Sequence, residues 1–313
     1  MKNVKLGLLF TVLAIMLSVG CKDKDQDTEF DILTEYLTEN NMDVTDMLDG
    51  WIVAAGTIEG ADTTQLDIST YYIMDIRAEA DFNAGHIIGA HNSSLSTIVA
   101  DAADADKKIL VVCYTGQSAS HAVIALRLSG YTDAQVLKFG MSSWNADFDS
   151  WTANTGDAAV GNANWVTTAT ADLIAYEDQP NIATGEGTGA EILAEQVKLL
   201  TEFKGITNAD VLAAPADYFI NNYWAREDVD HYGHIKGAYR INPLSIAGAE
   251  YVNLDPTKTI VTYCWTGQTS SMITAYLTVL GYDAKSLKFG TNGMIYSDLE
   301  THKWGSSFDF DYE

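Results

Sequence analysis

Two six-residue segments carry the chemistry of this chain: Cys113-Tyr114-Thr115-Gly116-Gln117-Ser118 and Cys264-Trp265-Thr266-Gly267-Gln268-Thr269. Each follows a short apolar run, Ile109 to Val112 and Ile260 to Tyr263, and precedes a segment with helical spacing. A cysteine between a buried strand and a helix start lies where backbone N–H groups converge and the helix dipole is positive. That placement favours thiolate over thiol and cradles an anion. A strand-end cysteine is most often a small buried hydrophobe, but a second copy of the same glycine-containing loop 151 residues later reverses that reading. The expected chemistry is nucleophilic attack by a cysteine thiolate.

The elements that must hold these loops repeat as well. Gly85-His86-Ile87-Ile88-Gly89-Ala90 recurs as Gly233-His234-Ile235-Lys236-Gly237-Ala238, and Leu137-Lys138-Phe139-Gly140 recurs as Leu287-Lys288-Phe289-Gly290. A period this long means two whole domains rather than a solenoid. Within the first copy, Tyr72–Met74, Ile109–Val112 and Gln135–Leu137 read as short strands. Ala119, Ala122, Val123 and Leu126 fall at helical spacing, with Gly130 as the stop. In the second copy Ile273, Tyr276, Leu277 and Leu280 do the same before Gly281. Strands alternating with helices predict α/β domains with mostly parallel sheets flanked by helices, and ligands bind such sheets beyond the C-terminal strand ends. The expected boundaries are 30–151 for the first domain, 152–188 for an Ala/Thr/Asn/Gly-rich linker and 189–313 for the second domain.

The order of motifs resembles the rhodanese family of sulfurtransferases. The first copy has Asp75-Ile76-Arg77, Asp81-Phe82, Gly85-His86-Ile87 with Gly89-Ala90, a Cys113-x-x-Gly-x-Ser loop, Gly130-Tyr131 and Gly140…Trp144. The second copy is similar but eroded. Aligned from Gly233-His234, it has Tyr223 and Ala225 at the Asp75 and Arg77 positions and Met294 at the Trp144 position.

The resemblance implies that Cys113, and Cys264 in the second copy, take sulfane sulfur from a donor such as thiosulfate as a persulfide and pass it to cyanide or a thiol. It implies an anion-binding loop of Tyr114, Thr115, Gly116, Gln117 and Ser118, matched by Trp265, Thr266, Gly267, Gln268 and Thr269, with backbone N–H groups around the sulfur. Asp75 and Arg77 read as a buttressing ion pair, and His86 and His234 as turn-holding residues without metal-ligand spacing. No metal or other cofactor is expected. Neither loop carries a cation, which points to slow thiosulfate turnover or to a less charged donor such as a polysulfide or persulfide. Ala119 and Ser270 stand where a related phosphatase needs arginine, so phosphatase chemistry is disfavoured. The competing reading is a non-catalytic module that binds sulfur, selenium or a protein.

The N-terminus reads as a targeting signal. Lys2 and Lys5 precede the apolar stretch Leu6 to Leu17, and Ser18-Val19-Gly20 leads to Cys21. Residues 1–20 resemble a bacterial lipoprotein signal peptide, with Cys21 as the lipidated residue and 21–29 as a polar tether. The expected location is the periplasm or cell surface, with lipid as the only membrane attachment. Cys113 and Cys264 then remain as the other two of three cysteines. They read as separate free thiols, because a disulfide would need the two loops to face each other closely. The formal net charge of −25 argues against nucleic acid and anionic membranes as partners. An apolar fraction of 47% is ample for two packed cores.

Overall fold

The computed structural model describes residues 27–60 and 62–313; the expected signal and Cys21 lie outside them. Two all-parallel sheets form the scaffold. The first has strands in the order Ile52–Val53, Gln135–Leu137, Lys108–Val112, Tyr71–Asp75, His91–Asn92. The second runs Phe219–Asn222, Ile260–Tyr263, Ala284–Leu287, Gly205–Ile206. The two cysteine-bearing strands are interior in their sheets. They read as unbroken apolar runs because both faces are covered: Ile109 to Val112 and Ile260 to Tyr263 are all buried.

Helices Gln117–Leu128 and Gln268–Val279 leave the two loops and pack against each other across the domain interface. Each is covered by its own sheet on one side and by its twin on the other, so nearly every residue is buried and neither is strongly amphipathic. Small residues such as Ala119, Ala122, Ser271 and Ala275 are part of the buried set that permits this. Gly130 and Gly281 end the helices at φ +103° and +85°. Tyr131 and Tyr282 then donate back to the Leu126 and Leu277 carbonyls, the αL stop that glycine allows.

The chain ends are exchanged between domains. Helix Glu29–Glu39 packs on helix Gly189–Val197, Phe30 meets Tyr251 and Tyr282, and Asp43 accepts from the Ile246 and Ala247 amides. In return the tail after Trp304 runs over the first domain. Phe308 and Phe310 donate to the Ser143 and Trp144 carbonyls, and His86 and Glu313 exchange backbone bonds. The segment 152–188 lies along the second domain: Trp165–Val166 pairs antiparallel with His234–Ile235, and Tyr176 donates to the Val252 carbonyl.

Candidate active site

Both cysteines stand one residue past the end of an interior strand and are nearly buried, as free thiols. The Cys113 Sγ receives the Gly116 amide at 3.1 Å and the Ala119 amide at 3.4 Å. Gly116 is left-handed (φ +80°), which turns the chain so that the first helical amides face the sulfur. Of the amides expected around the sulfur, Gly116 is the one aimed at it, and Ala119 is an addition. Ala119 shows in the sequence as a helix-face residue and as the absence of arginine but not as a donor to sulfur, because a backbone donor leaves no side-chain signal.

The loop rests on a floor made by the repeated Leu-Lys-Phe-Gly segment. Met141 N donates to the Cys113 carbonyl at 2.8 Å, Ser142 N to the Tyr114 carbonyl at 3.0 Å, and Trp151 Nε1 to the Thr115 carbonyl at 3.2 Å. Gly140 touches the Cys113 and Tyr114 backbone so closely that a Cβ has no room, and its φ is +62°. Gly290 sits identically under Cys264 and Trp265. That contact is why the segment recurs.

Asp75 and Arg77 form the expected ion pair, with 1% side-chain exposure each and a closest approach of 2.6 Å. Arg77 also donates to the Gly85 carbonyl at 2.7 Å, which fixes the start of the Gly-His turn. Burial pulls the Arg77 guanidinium down, but Asp75 outweighs it and holds the group above its ordinary value. Its guanidinium lies 5.1 Å from the Tyr114 ring and 5.1 Å from the Phe148 ring. The site therefore has a cation against the wall of its loop, brought by a different strand.

The second copy departs here. Asp75 pairs with Val112 and Asn222 with Tyr263, and the amides of Ile76 and Tyr223 donate to Val112 and Tyr263 respectively. The counterparts of Asp75 and Arg77 are thus Asn222 and Trp224, not Tyr223 and Ala225. Alignment from the Gly-His turn slips by one because helix Arg226–Tyr232 is a residue longer than helix Glu79–Ala84. Trp224 stacks on Trp265 at 4.2 Å, with His302 on Trp265 at 4.9 Å and the Tyr232 ring edge-on at 5.5 Å. Cys264 Sγ receives the Ser270 amide at 3.3 Å and donates to Ser270 Oγ at 3.6 Å. Ser270 Oγ in turn contacts Ser286 Oγ at 2.8 Å. An ion pair backs the tyrosine of the first loop; stacked indoles back the second, and a serine pair attends its sulfur.

The remaining expected residues divide plainly. His86 Nδ1 contacts the Phe82 carbonyl at 2.9 Å, and His234 contacts the Ile235 and Thr168 carbonyls at 2.9 and 2.7 Å, so both hold turns. Thr115 and Thr266 bind the glutamines of their own loops, while Ser118 and Thr269 are half-buried beside the helix starts. The side chains of Gln117 and Gln268 turn into the other domain, where each accepts a backbone amide; the anion-binding role expected of their loops rests on main-chain amides instead. The loops do adjoin across the interface, contrary to the premise used against a disulfide, yet both thiols are free.

His121, on the Cys113 helix, is fully buried, and among the described residues neither ring nitrogen has a partner. Burial, with a smaller contribution from Lys204, pushes its pKa down to about 3. The unfolded chain, titrating near 6.5, takes up this proton first, so stability falls as pH drops from about 6.5 toward 3, by ~2 kcal/mol at pH 5. His121→Leu is expected to remove that loss. Denaturant midpoints at pH 7.5 and 5 check it: the variant's advantage grows at pH 5, and an equal advantage at both contradicts the account.

A sequence profile of the rhodanese-like domain matches residues 58–147 and 202–295. The thiosulfate sulfurtransferase GlpE of Shewanella oneidensis is 40% identical over 76 residues, 23% of this chain and 74% of that protein. Its namesake from Pseudomonas putida strain F1 is 37% identical over 84 residues, 26% of this chain and 76% of that protein. Among solved structures, the 3-mercaptopyruvate sulfotransferase SseA from Escherichia coli shows 16% identity with a TM-score of 0.28, covering 77% of this chain and 98% of its own.

Proposed function

We propose a mechanism from the premise that this chain belongs to the rhodanese-like family, as two tandem domains. Cys113 thiolate attacks the outer sulfur of a donor such as thiosulfate; the S–S bond to sulfite breaks and sulfite departs with the electron pair, leaving a cysteine persulfide. Cyanide or a thiolate then attacks the outer sulfur and the Cys113 thiolate leaves. The observation that carries this reading is the seat of the sulfur: a nearly buried Cys113 Sγ at a helix start, receiving the Gly116 and Ala119 amides. Those dipoles stabilise negative charge on either the thiolate or the persulfide.

The Arg77 charge is largely spent on Asp75, so a donor whose sulfane group carries a single charge, such as an organic persulfide, suits the Cys113 site better than dianionic thiosulfate. Cys264, attended by indoles and serines, is the weaker sulfur site. We also read the N-terminus as a lipoprotein signal that anchors the protein through Cys21 at the periplasmic membrane or cell surface. Steady-state assays with thiosulfate and with an organic persulfide, using cyanide as acceptor, test the activity. Thiocyanate is expected from both donors, faster from the persulfide; none from either leaves only a binding module.

A further inference from the structure

The residues that join the two cysteine loops are a matched pair of glutamines. Gln268 Oε1 accepts the Phe139 amide at 2.8 Å, and Gln117 Oε1 accepts the Phe289 amide at 2.8 Å. Each also donates Nε2 to the threonine of its own loop, Gln268 to Thr266 at 3.0 Å and Gln117 to Thr115 at 3.1 Å. Both side chains are buried, and each presses on the other loop's glycine, Gln268 on Gly116 and Gln117 on Gly267. Trp151 marks the axis of this arrangement, with the Phe139 and Phe289 rings edge-on at 5.1 Å on either side.

Phe139 and Phe289 are non-glycine residues in the left-handed region, at φ +64° and +61°. Such a conformation persists only where surrounding bonds hold it. What it holds is the floor of the site: Phe139 leads into Gly140 and Met141, whose amide carries the Cys113 carbonyl, and Phe289 leads into Gly290 and Thr291, whose amide carries that of Cys264.

We propose that Gln268 is a positioning residue for Cys113 and Gln117 for Cys264, so that each domain supplies the bond that sets the other's nucleophile. This rests on the sulfurtransfer reading only in taking Cys113 as a reactive thiol. Methionine at 268 keeps the volume and removes the acceptor, leaving a buried amide unpaired at the base of the Cys113 floor.

The test follows Cys113 alkylation by iodoacetamide, by peptide mass, in full-length chains that all carry Cys264→Ser, well below their unfolding temperatures. Gln268→Met is expected to slow Cys113 about fivefold. Gln268→Glu, whose carboxylate still accepts from Phe139 and can accept the Thr266 hydroxyl, is expected to restore most of the rate. Equal rates in all three chains, or a slowing that Gln268→Glu does not reverse, overturn the proposal. A Cys113 that fails to alkylate even with Gln268 in place overturns the positioning role, while thiocyanate formation by the same chain decides the sulfurtransfer reading separately.

Discussion

Cys113→Ser is expected to reduce sulfur transfer by at least about a hundredfold, with the fold intact. The serine hydroxyl fits the same space, but at neutral pH it is neither a nucleophile toward sulfane sulfur nor an anion for the Gly116 and Ala119 amides to hold. Cys264→Ser is expected to cost far less. Its domain lacks the Asp75–Arg77 pair, and its sulfur is engaged by Ser270. Thiocyanate production by the two single variants and the double variant separates the contributions. A Cys113→Ser protein that keeps most of the activity while Cys264→Ser loses it would reverse the assignment.

Asp75→Ala is expected to be among the most destabilising single changes in the first domain, by about 3–5 kcal/mol. It leaves the Arg77 guanidinium buried with the Gly85 carbonyl as its remaining polar partner, between the Tyr114 and Phe148 rings. The second domain shows what replaces such a pair without leaving an unpaired charge: Asn222 and Trp224, with Trp224 stacked on Trp265. The double change Asp75→Asn with Arg77→Trp is therefore expected to recover a large part of the stability lost in Asp75→Ala. Urea midpoints decide it, and a cost below about 1 kcal/mol for Asp75→Ala contradicts a structural ion pair.

The strands and loops were legible in the sequence because their determinants are local. Gln135–Leu137 stands as expected, and the other two expected first-domain strands gain one or two residues at their ends, while the two-residue edge strands Ile52–Val53 and His91–Asn92 are too short to leave a pattern. Both helices begin right after Gly116 and Gly267. The partner of Arg77 in the second copy was not legible, since one added residue in a seven-residue helix shifts the comparison without any composition signal. Nor was the exchange of chain ends, whose partners are remote in sequence: Phe308, Phe310 and Glu313 meet the first domain through main-chain bonds that any residue could make, and Phe30 and Asp43 find their partners more than 200 residues away. Gln117 and Gln268 looked like loop residues because their true partners, the Phe289 and Phe139 amides, lie 172 and 129 residues away. The cation absent from the loop was legible as an absence; that Arg77, two residues past the strand ending at Asp75, lies against the loop was visible only once the Tyr114 and Phe148 rings were in place.

The central claim is that Cys113 carries sulfane sulfur as a persulfide, and intact mass with peptide mapping tests it most directly. After exposure to thiosulfate or polysulfide, the account predicts an addition of about 32 Da, one sulfur atom, on the Cys113 peptide, lost on adding cyanide. No addition to the native chain, or an addition that survives Cys113→Ser combined with Cys264→Ser, would contradict it.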